Sequence, residues 1–291
     1  MITINFNGFA LTCGLLDSLV RNVSYPLEVI VVDNGSENDE AARLAEKYPE
    51  VKVVAAGRNL GFAGANNLGA AQARGEFLFF INNDTEILED GIGKLVERFD
   101  SDPGIGIVCP KIRFWDGNRP IQFAGYTPMK GIALRNDLIG YGREDDGSFD
   151  SDAPTPFAHG AAMMVSRKAY EDVGPMPECY FLYFEELDWS NRFTEKGWKI
   201  HYEPLCTVFH KESATTGRES ALRSYYMTRN RQIFALRNCK GLERELAILY
   251  ARYPSSLKHI LKARREGRRD IVDAILRGNK DFRRLRKEGL C

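Results

Sequence analysis

Nowhere in its 291 residues does the chain pair its cysteines as Cys-x-x-Cys; the six (Cys13, Cys109, Cys179, Cys206, Cys239, Cys291) stand singly. That spacing excludes a Cys-rich zinc site and suits a reducing compartment. No apolar run approaches the roughly 18 residues that span a bilayer, the longest being Phe77–Ile81. The N-terminus has neither a basic start nor a long apolar stretch, so no signal peptide is read there. Net charge is lacking too, with 40 basic residues against 40 acidic ones. The hydrophobic share of 44% and charged share of 27% are those of a globular protein, and exclude disorder, collagen and coiled coil as descriptions of the whole. The expectation is a soluble cytoplasmic chain, one large α/β unit or two domains of roughly 150 residues each.

The neutral total conceals a split. Residues 218–291 carry 20 Lys/Arg against 8 Asp/Glu, a net of +12, which leaves −12 on residues 1–217. So large an asymmetry is a local statement about partners.

The first hundred residues alternate short β-type runs with helical patterns. Strands are read at Ile2–Phe6, Val29–Val32, Val51–Ala55 and Glu76–Ile81, and helices at Leu11–Arg21, Asp39–Tyr48, Ala63–Arg74 and Glu89–Phe99. That alternation implies right-handed βαβ units and a mostly parallel sheet with helices on both faces, whose ligands sit at the carboxyl ends of the strands. Residues 113–157, rich in Gly, Pro, Asp and Asn, read as long loops with a short strand at Ile121–Tyr126. Further strands are expected at Gly160–Val165, Trp198–Tyr202 and Thr207–His210, with Tyr180–Thr194 running from strand into helix. From about Glu219 the chain reads as helical to its end.

The four early strand ends carry Asn7-Gly8, then Asp33-Asn34-Gly35-Ser36, then Arg58-Asn59-Leu60-Gly61 through Asn66-Asn67, then Asn82-Asn83-Asp84-Thr85-Glu86. One such cluster is usually a turn or a helix cap. Four along one edge make a site of nucleotide or phosphate size. A dinucleotide fingerprint and a Walker A loop are both absent. Asp84 suits a divalent ion shared with phosphate oxygens. Further along, Glu185-Glu186-Leu187-Asp188 packs three carboxylates into four positions among Tyr180, Phe181, Tyr183, Phe184 and Trp189. A carboxyl in such surroundings has its pKa raised and can serve as a general base. His210, closing the last strand, reads as either a structural histidine or a metal ligand.

With these residues in view, the chain resembles the inverting family-two glycosyltransferases of the GT-A fold, and most of all their bacterial rhamnosyltransferase-type branch. The resemblance spans about residues 2–240. It rests on Ile-Asn-Phe-Asn-Gly, Val-Val-Asp-Asn-Gly-Ser, Asn59-Leu-Gly-Phe-Ala-Gly-Ala-Asn-Asn-Leu-Gly69, Asn82-Asn-Asp-Thr-Glu86, Tyr180–Arg192, and Glu203-Pro204 with His210. It implies a GT-A domain over 1–217, with a nucleotide half about 1–112 and an acceptor half about 113–217, followed by a basic helical region over 218–291. It also implies that Asn7, Asp33, Asn34, Gly35, Ser36, Arg58, Asn59, Gly61, Asn66, Asn82 and Asn83 line a nucleotide sugar. Asp33 would contact the base and Arg229 the diphosphate. Asp84, the one carboxylate kept from the family's Asp-x-Asp motif, would hold Mg²⁺ or Mn²⁺ with His210. Glu185-Glu186 stands where the family has Glu-Asp, making Glu186 the general base and Asp188 its rival.

The expected donor is a dTDP- or UDP-linked sugar, rhamnose by analogy. The expected acceptor is a glycan, lipid-linked or protein-linked hydroxyl in bacterial surface polysaccharide or glycoconjugate synthesis, recognised by the 113–157 loops and the 180–189 aromatics. A binding subunit with weak catalysis is the alternative reading. The basic tail, with Leu257, Ile260, Leu261, Ile271, Ile275 and Leu276, suits peripheral contact with an anionic membrane at the inner face of the cell. It lacks the interleaved aromatics of a nucleic-acid binder.

Overall fold

The computed structural model describes residues 1–211 and 220–289, so the boundary drawn at 217 lies outside the described residues. The N-terminal half runs β1 (Ile2–Asn5), α1 (Phe9–Asn22), β2 (Ile30–Asp33), α2 (Glu40–Lys47), β3 (Lys52–Ala55), α3 (Gly61–Gln72), β4 (Phe77–Ile81), β5 (Thr85–Glu86) and α4 (Ile92–Ser101). Then come β6 (Ile105–Phe114), β7 (Ile121–Phe123), β8 (Ala153–Pro154), β9 (Ala162–Ser166), α5 (Arg167–Val173), α6 (Glu185–Glu195) and β10 (Lys199–His210). Four helices close the chain: α7 (Ala221–Asn238), α8 (Gly241–Tyr250), α9 (Ser256–Arg265) and α10 (Arg269–Glu288), with a π-helical turn at Ala251–Ser255 joining α8 to α9.

All these strands form one sheet, ordered β3-β2-β1-β4-β9-β6-β10-β5, with β7 on β6 and β8 on β10. The parallel character read from the sequence holds from β3 to β4. Beyond that the sheet is mixed, because β9 enters antiparallel to both β4 and β6. Uniformly apolar strands such as β2 and β4 are buried as a sheet covered on both faces requires. Gly69 lets α3 approach β1 and β2 closely: a Cβ there would lie 2.5 Å from Ile2 Cγ2 and 3.0 Å from Val32 Cγ2.

Three features differ from the sequence reading. The ten-residue β6 was not expected, and it carries Pro110 in its middle, a residue that interior strands rarely hold. The structure accommodates that proline at a bulge: the register with β10 passes from Glu203↔Pro110 directly to Thr207↔Lys111, so Pro204–Cys206 loop out where Pro110 has no N–H to offer. For the same reason the two strands expected at 198–202 and 207–210 are one bulged strand. Finally, Tyr180–Phe184 is a 3₁₀ turn and a left-handed turn, with no strand, despite its aromatic richness.

The helical end does not stand apart. One apolar cluster joins Leu134, Phe157, Tyr180, Phe184 and Leu187 to Ile233, Phe234, Ile248 and Phe282, so α7, α8 and α10 share a core with the segment leading into α6. Of the tail residues expected at a membrane, Ile271 and Ile275 are buried and Ile260 packs against them, whereas Leu257, Leu261 and Leu276 are exposed. Replacing Gly69 by Val should lower the stability of the full chain by about 1–3 kcal/mol through overpacking against Ile2 and Val32, read as a lower urea midpoint.

Candidate functional site

The edge formed by the strand ends is built on a hydrogen-bonded floor. Asn5, fully buried in β1, donates through Nδ2 to Glu40 Oε2 (2.8 Å) and Ser36 Oγ (3.0 Å), and its Oδ1 accepts from Thr12 Oγ1 (2.7 Å). Thr12 in turn accepts from Asn83 Nδ2 at 3.0 Å. Glu40 Oε2 also takes the Gly8 N–H, and Asn7 donates its N–H to Ser36 Oγ while its side-chain oxygen accepts from Glu37 N. The first, second and fourth strand ends are therefore one network. Its hubs Asn5, Thr12 and Glu40 were not among the expected site residues, although Asn5, a polar residue closing an apolar strand, was an available signal.

The neighbouring loop is held separately. Asn34 accepts the Leu60 N–H (2.8 Å) and donates to Asn59 Oδ1 (3.1 Å), and Asn59 accepts the Gly61 N–H (2.8 Å). Asp33 is buried and its Oδ1 caps the Ser36 N–H at 2.9 Å. Gly35 has φ +80° and a Cβ there would lie 2.7 Å from the Arg58 backbone, so the crossing requires glycine. Arg58 itself is exposed at the rim, and Asn66 is buried on α3 with its Nδ2 unpartnered.

Asp84 and His210 come together because β5 pairs antiparallel with the end of β10, setting Thr85 opposite His210. Asp84 Oδ1 lies 3.2 Å from His210 Nε2, both side chains being buried. His210 Nδ1 is 2.8 Å from Gln122 Oε1; an amide oxygen only accepts, so Nδ1 donates to it and Nε2 is the ring nitrogen that faces Asp84. Asp84 Oδ1 has no hydrogen-bond partner. A carboxylate oxygen and an imidazole nitrogen this close are a ligand pair of the kind that holds a divalent cation, and the Gln122 partner on the other ring nitrogen is the support that metal-ligating histidines have. Among the described residues no third His, Cys, Asp or Glu joins them, so further ligands would come from a bound molecule.

The segment His159–Ala161 links this edge to α6. Asn82 donates its N–H to Ala161 O at 2.9 Å, and a Cβ on Gly160 would lie 3.8 Å from Glu186 Cδ and from Phe62 Cζ. Glu186 is partly buried, and burial pushes its carboxyl up to about 7. Glu185 is buried and pushed well up, first by desolvation and then by Glu186. His159, stacked on Tyr126, is held down at about 3 by burial first and His210 second, and is neutral.

Two expected site residues are engaged elsewhere. Asp188 is buried under Arg237 Nε (2.6 Å), Tyr180 Oη (2.6 Å) and Asn238 Nδ2 (3.1 Å), which uses its Oδ2 three times over. Arg229, read as a diphosphate contact on a helix surface, is buried: its Nη2 donates to the Cys179 and Tyr180 carbonyls and its Nε to Asn230 Oδ1 at 2.8 Å. Beside His210 opens a cavity of about 610 Å³ whose lining includes Trp115, Asp116, Tyr141 and Lys211.

A family model for glycosyl transferase family 2 matches residues 1–174. The chain is 28% identical over 226 residues to an N-acetylglucosaminyl-diphospho-decaprenol L-rhamnosyltransferase of Mycobacterium tuberculosis, covering 71% of this chain and 73% of that protein. It is 27% identical over 221 residues to a low-salt glycan biosynthesis hexosyltransferase of Haloferax volcanii, covering 74% and 69%. Among solved structures, a Pyrobaculum calidifontis mannosyltransferase in complex with GDP-Man and Mn²⁺ matches 99% of this chain and 78% of its own, with TM-score 0.56 at 19% identity. GalNAc-T7 with UDP, GalNAc and Mn²⁺ matches 80% of this chain and about half (49%) of its own, with TM-score 0.64 at 16% identity.

Proposed function

The chain belongs to glycosyl transferase family 2 and is a glycosyltransferase; from that premise we propose that it is metal-dependent and inverting, moving a rhamnose-type sugar from a dTDP- or UDP-linked donor to a hydroxyl of a glycan or lipid-linked acceptor. The observation that carries this reading is the approach of Asp84 Oδ1, which has no hydrogen bond, to within 3.2 Å of His210 Nε2, at the edge where the Asn7, Asp33–Ser36, Arg58–Gly61 and Asn82–Asn83 loops converge. Asp84 and His210 would hold Mg²⁺ or Mn²⁺, which when bound supplies Lewis-acid stabilisation of the departing nucleoside diphosphate. Glu186 would take the proton of the acceptor hydroxyl. That oxygen forms a bond to the anomeric carbon on the face opposite the leaving phosphate, the old C–O bond breaks with its electron pair going to the diphosphate, and the configuration inverts. Asp188, saturated by Arg237, Tyr180 and Asn238, would orient α6. Trp115 and Tyr141, which line the 610 Å³ cavity, would contact an acceptor sugar.

Calorimetric titration with UDP, dTDP and GDP, each with and without Mn²⁺, tests the donor side. One nucleotide should bind tightly only with metal, and Asp84→Ala should abolish that dependence; metal-independent binding of equal strength would sink the metal assignment.

The base assignment has a sign. A carboxyl raised to about 7 is protonated below that pH and cannot accept, so turnover should fall as pH drops through about 7. Glu186→Gln should lose on the order of 10²–10⁴ in kcat with little change in donor KM, and should lose the acid limb with it. An unshifted limb in the variant would assign the base elsewhere.

We further propose that the helical end rests on an anionic membrane. Among the described residues no helix is long and apolar enough to cross one. Leu242, Leu246, Leu249, Tyr253, Leu257 and Leu261 are each 41–74% exposed along α8, the π turn and α9. On an unbroken α-helix this spacing would drift by about 100° over its last members; a π turn sets the helix back by about one residue's rotation and restores the line. Lys258, Lys262, Arg264 and Arg265 accompany the stripe, which suits acidic headgroups and opposes a second copy of the same cationic surface. Sedimentation with phosphatidylglycerol-containing vesicles should be lost in the Leu257→Glu/Leu261→Glu double variant. Equal sedimentation by the variant would remove this surface from consideration.

A further inference from the structure

A second cavity, of about 240 Å³, lies within the helical end, between α7, the π turn, α9 and the start of α10. It is remote from the strand-end edge and no part of the proposed reaction uses it. Half-buried Arg231 lines its wall, and three exposed basic side chains, Arg223, His259 and Lys262, stand at its rim with Glu266, which sits 3.7 Å from Lys262. The floor is apolar, made by Met227, Ala263, Ile271 and Ile275. Arg231 donates through Nη1 to Ser255 Oγ at 3.2 Å, but its Nε is buried with no partner.

We propose that this cavity binds a phosphate-class oxyanion carried on an apolar stem. A buried guanidinium N–H without an acceptor costs about 1–3 kcal/mol, and an oxyanion offers several acceptor oxygens in charge-assisted geometry. Like charges gathered in one place add to that cost. Burial and then Arg135 disfavour the charged form of Arg231, and burial followed by Arg231, Arg135, Lys258 and Lys262 does the same to His259. An anion relieves every one of these terms together. A water could satisfy the Nε but would leave the cations facing one another. The volume far exceeds the ~15 Å³ that one water needs, and the Met227–Ile275 floor has nothing to offer a small inorganic ion beyond the phosphate itself. A short hydrocarbon stem fills it.

The test uses the full chain with inorganic phosphate, hexyl phosphate and hexanol, read by calorimetry and thermal shift. Hexyl phosphate should bind more tightly than inorganic phosphate, hexanol should not bind, and the two phosphates should compete. Arg231→Gln should weaken hexyl phosphate by about tenfold or more. Should that variant fail to fold, Ser224→Glu places a carboxylate on the cavity wall; it should raise the Tm without ligand and abolish binding. His210→Ala should leave hexyl phosphate binding intact, which separates this site from the nucleotide edge. Absence of binding by either phosphate, equal binding in Arg231→Gln or Ser224→Glu, or loss of binding in His210→Ala would each overturn the proposal. Equal affinity for inorganic and hexyl phosphate would overturn the apolar stem and leave free phosphate as the ligand.

Discussion

Three aromatic residues within four positions, Phe181, Tyr183 and Phe184, hold positive φ (66°, 69° and 78°) immediately before α6. Each such residue costs on the order of 1–3 kcal/mol and persists only where its surroundings over-determine it. Here α7 does so. Asn230, fully buried, aims its amide nitrogen at the carbonyls of Tyr180 (3.0 Å), Leu182 (2.7 Å) and Tyr183 (2.8 Å), and Arg229 takes the Cys179 and Tyr180 carbonyls beside them. The same turn reaches the nucleotide edge, since Phe181 O accepts the Phe62 N–H at 2.7 Å, and a side chain at Gly61 would collide with it. The clamp therefore fixes Glu185 and Glu186 relative to the Arg58–Phe62 loop. Because it originates in α7, the helical end is structurally continuous with the part of the fold that carries α6.

That dependence explains which parts were legible beforehand. The βαβ start was readable because hydrophobic period and turn chemistry agree there, and strand ends in such a sheet are where ligands sit. The Asp84–His210 approach was readable only through family resemblance, as 125 residues of chain separate Thr85 from His210 and only the β5–β10 pairing closes that distance. The Tyr180–Phe184 turn misled because aromatic residues favour strands locally, whereas the backbone is set by two polar side chains some fifty residues later. β6 was not expected, and the missing donor of its Pro110 is excused by a bulge on a strand that the chain reaches almost a hundred residues later.

The charge split acquires a structural meaning as well. Of the excess cations of the last segment, Lys258, Lys262, Arg264 and Arg265 lie exposed beside an apolar stripe, whereas Arg231 is half-buried at the 240 Å³ cavity. These are different electrostatic situations. Outward charges are screened within roughly 10 Å and cost little, while inward ones are costly unless compensated. A net charge of +12 on residues 218–291 could not distinguish the two.

The two carboxylates of α6 that competed for the role of base are separated by their surroundings. Asp188 accepts from a guanidinium, a phenol and an amide on Oδ2, its Oδ1 faces the same guanidinium, and the residue is only 1% exposed, so a substrate hydroxyl has no approach to it. Glu186 has its carboxyl beside Gly160, where a glycine leaves space against it, and is raised toward neutrality by burial. A base needs an accessible lone pair as well as a suitable affinity for the proton. Glu186 meets both conditions, and the donors crowding Asp188 remove the first. The extra methylene of a glutamate at this position then matters less than the helix it stands on, whose direction is set by the Arg237–Asp188 pair below and the Asn230 clamp before it.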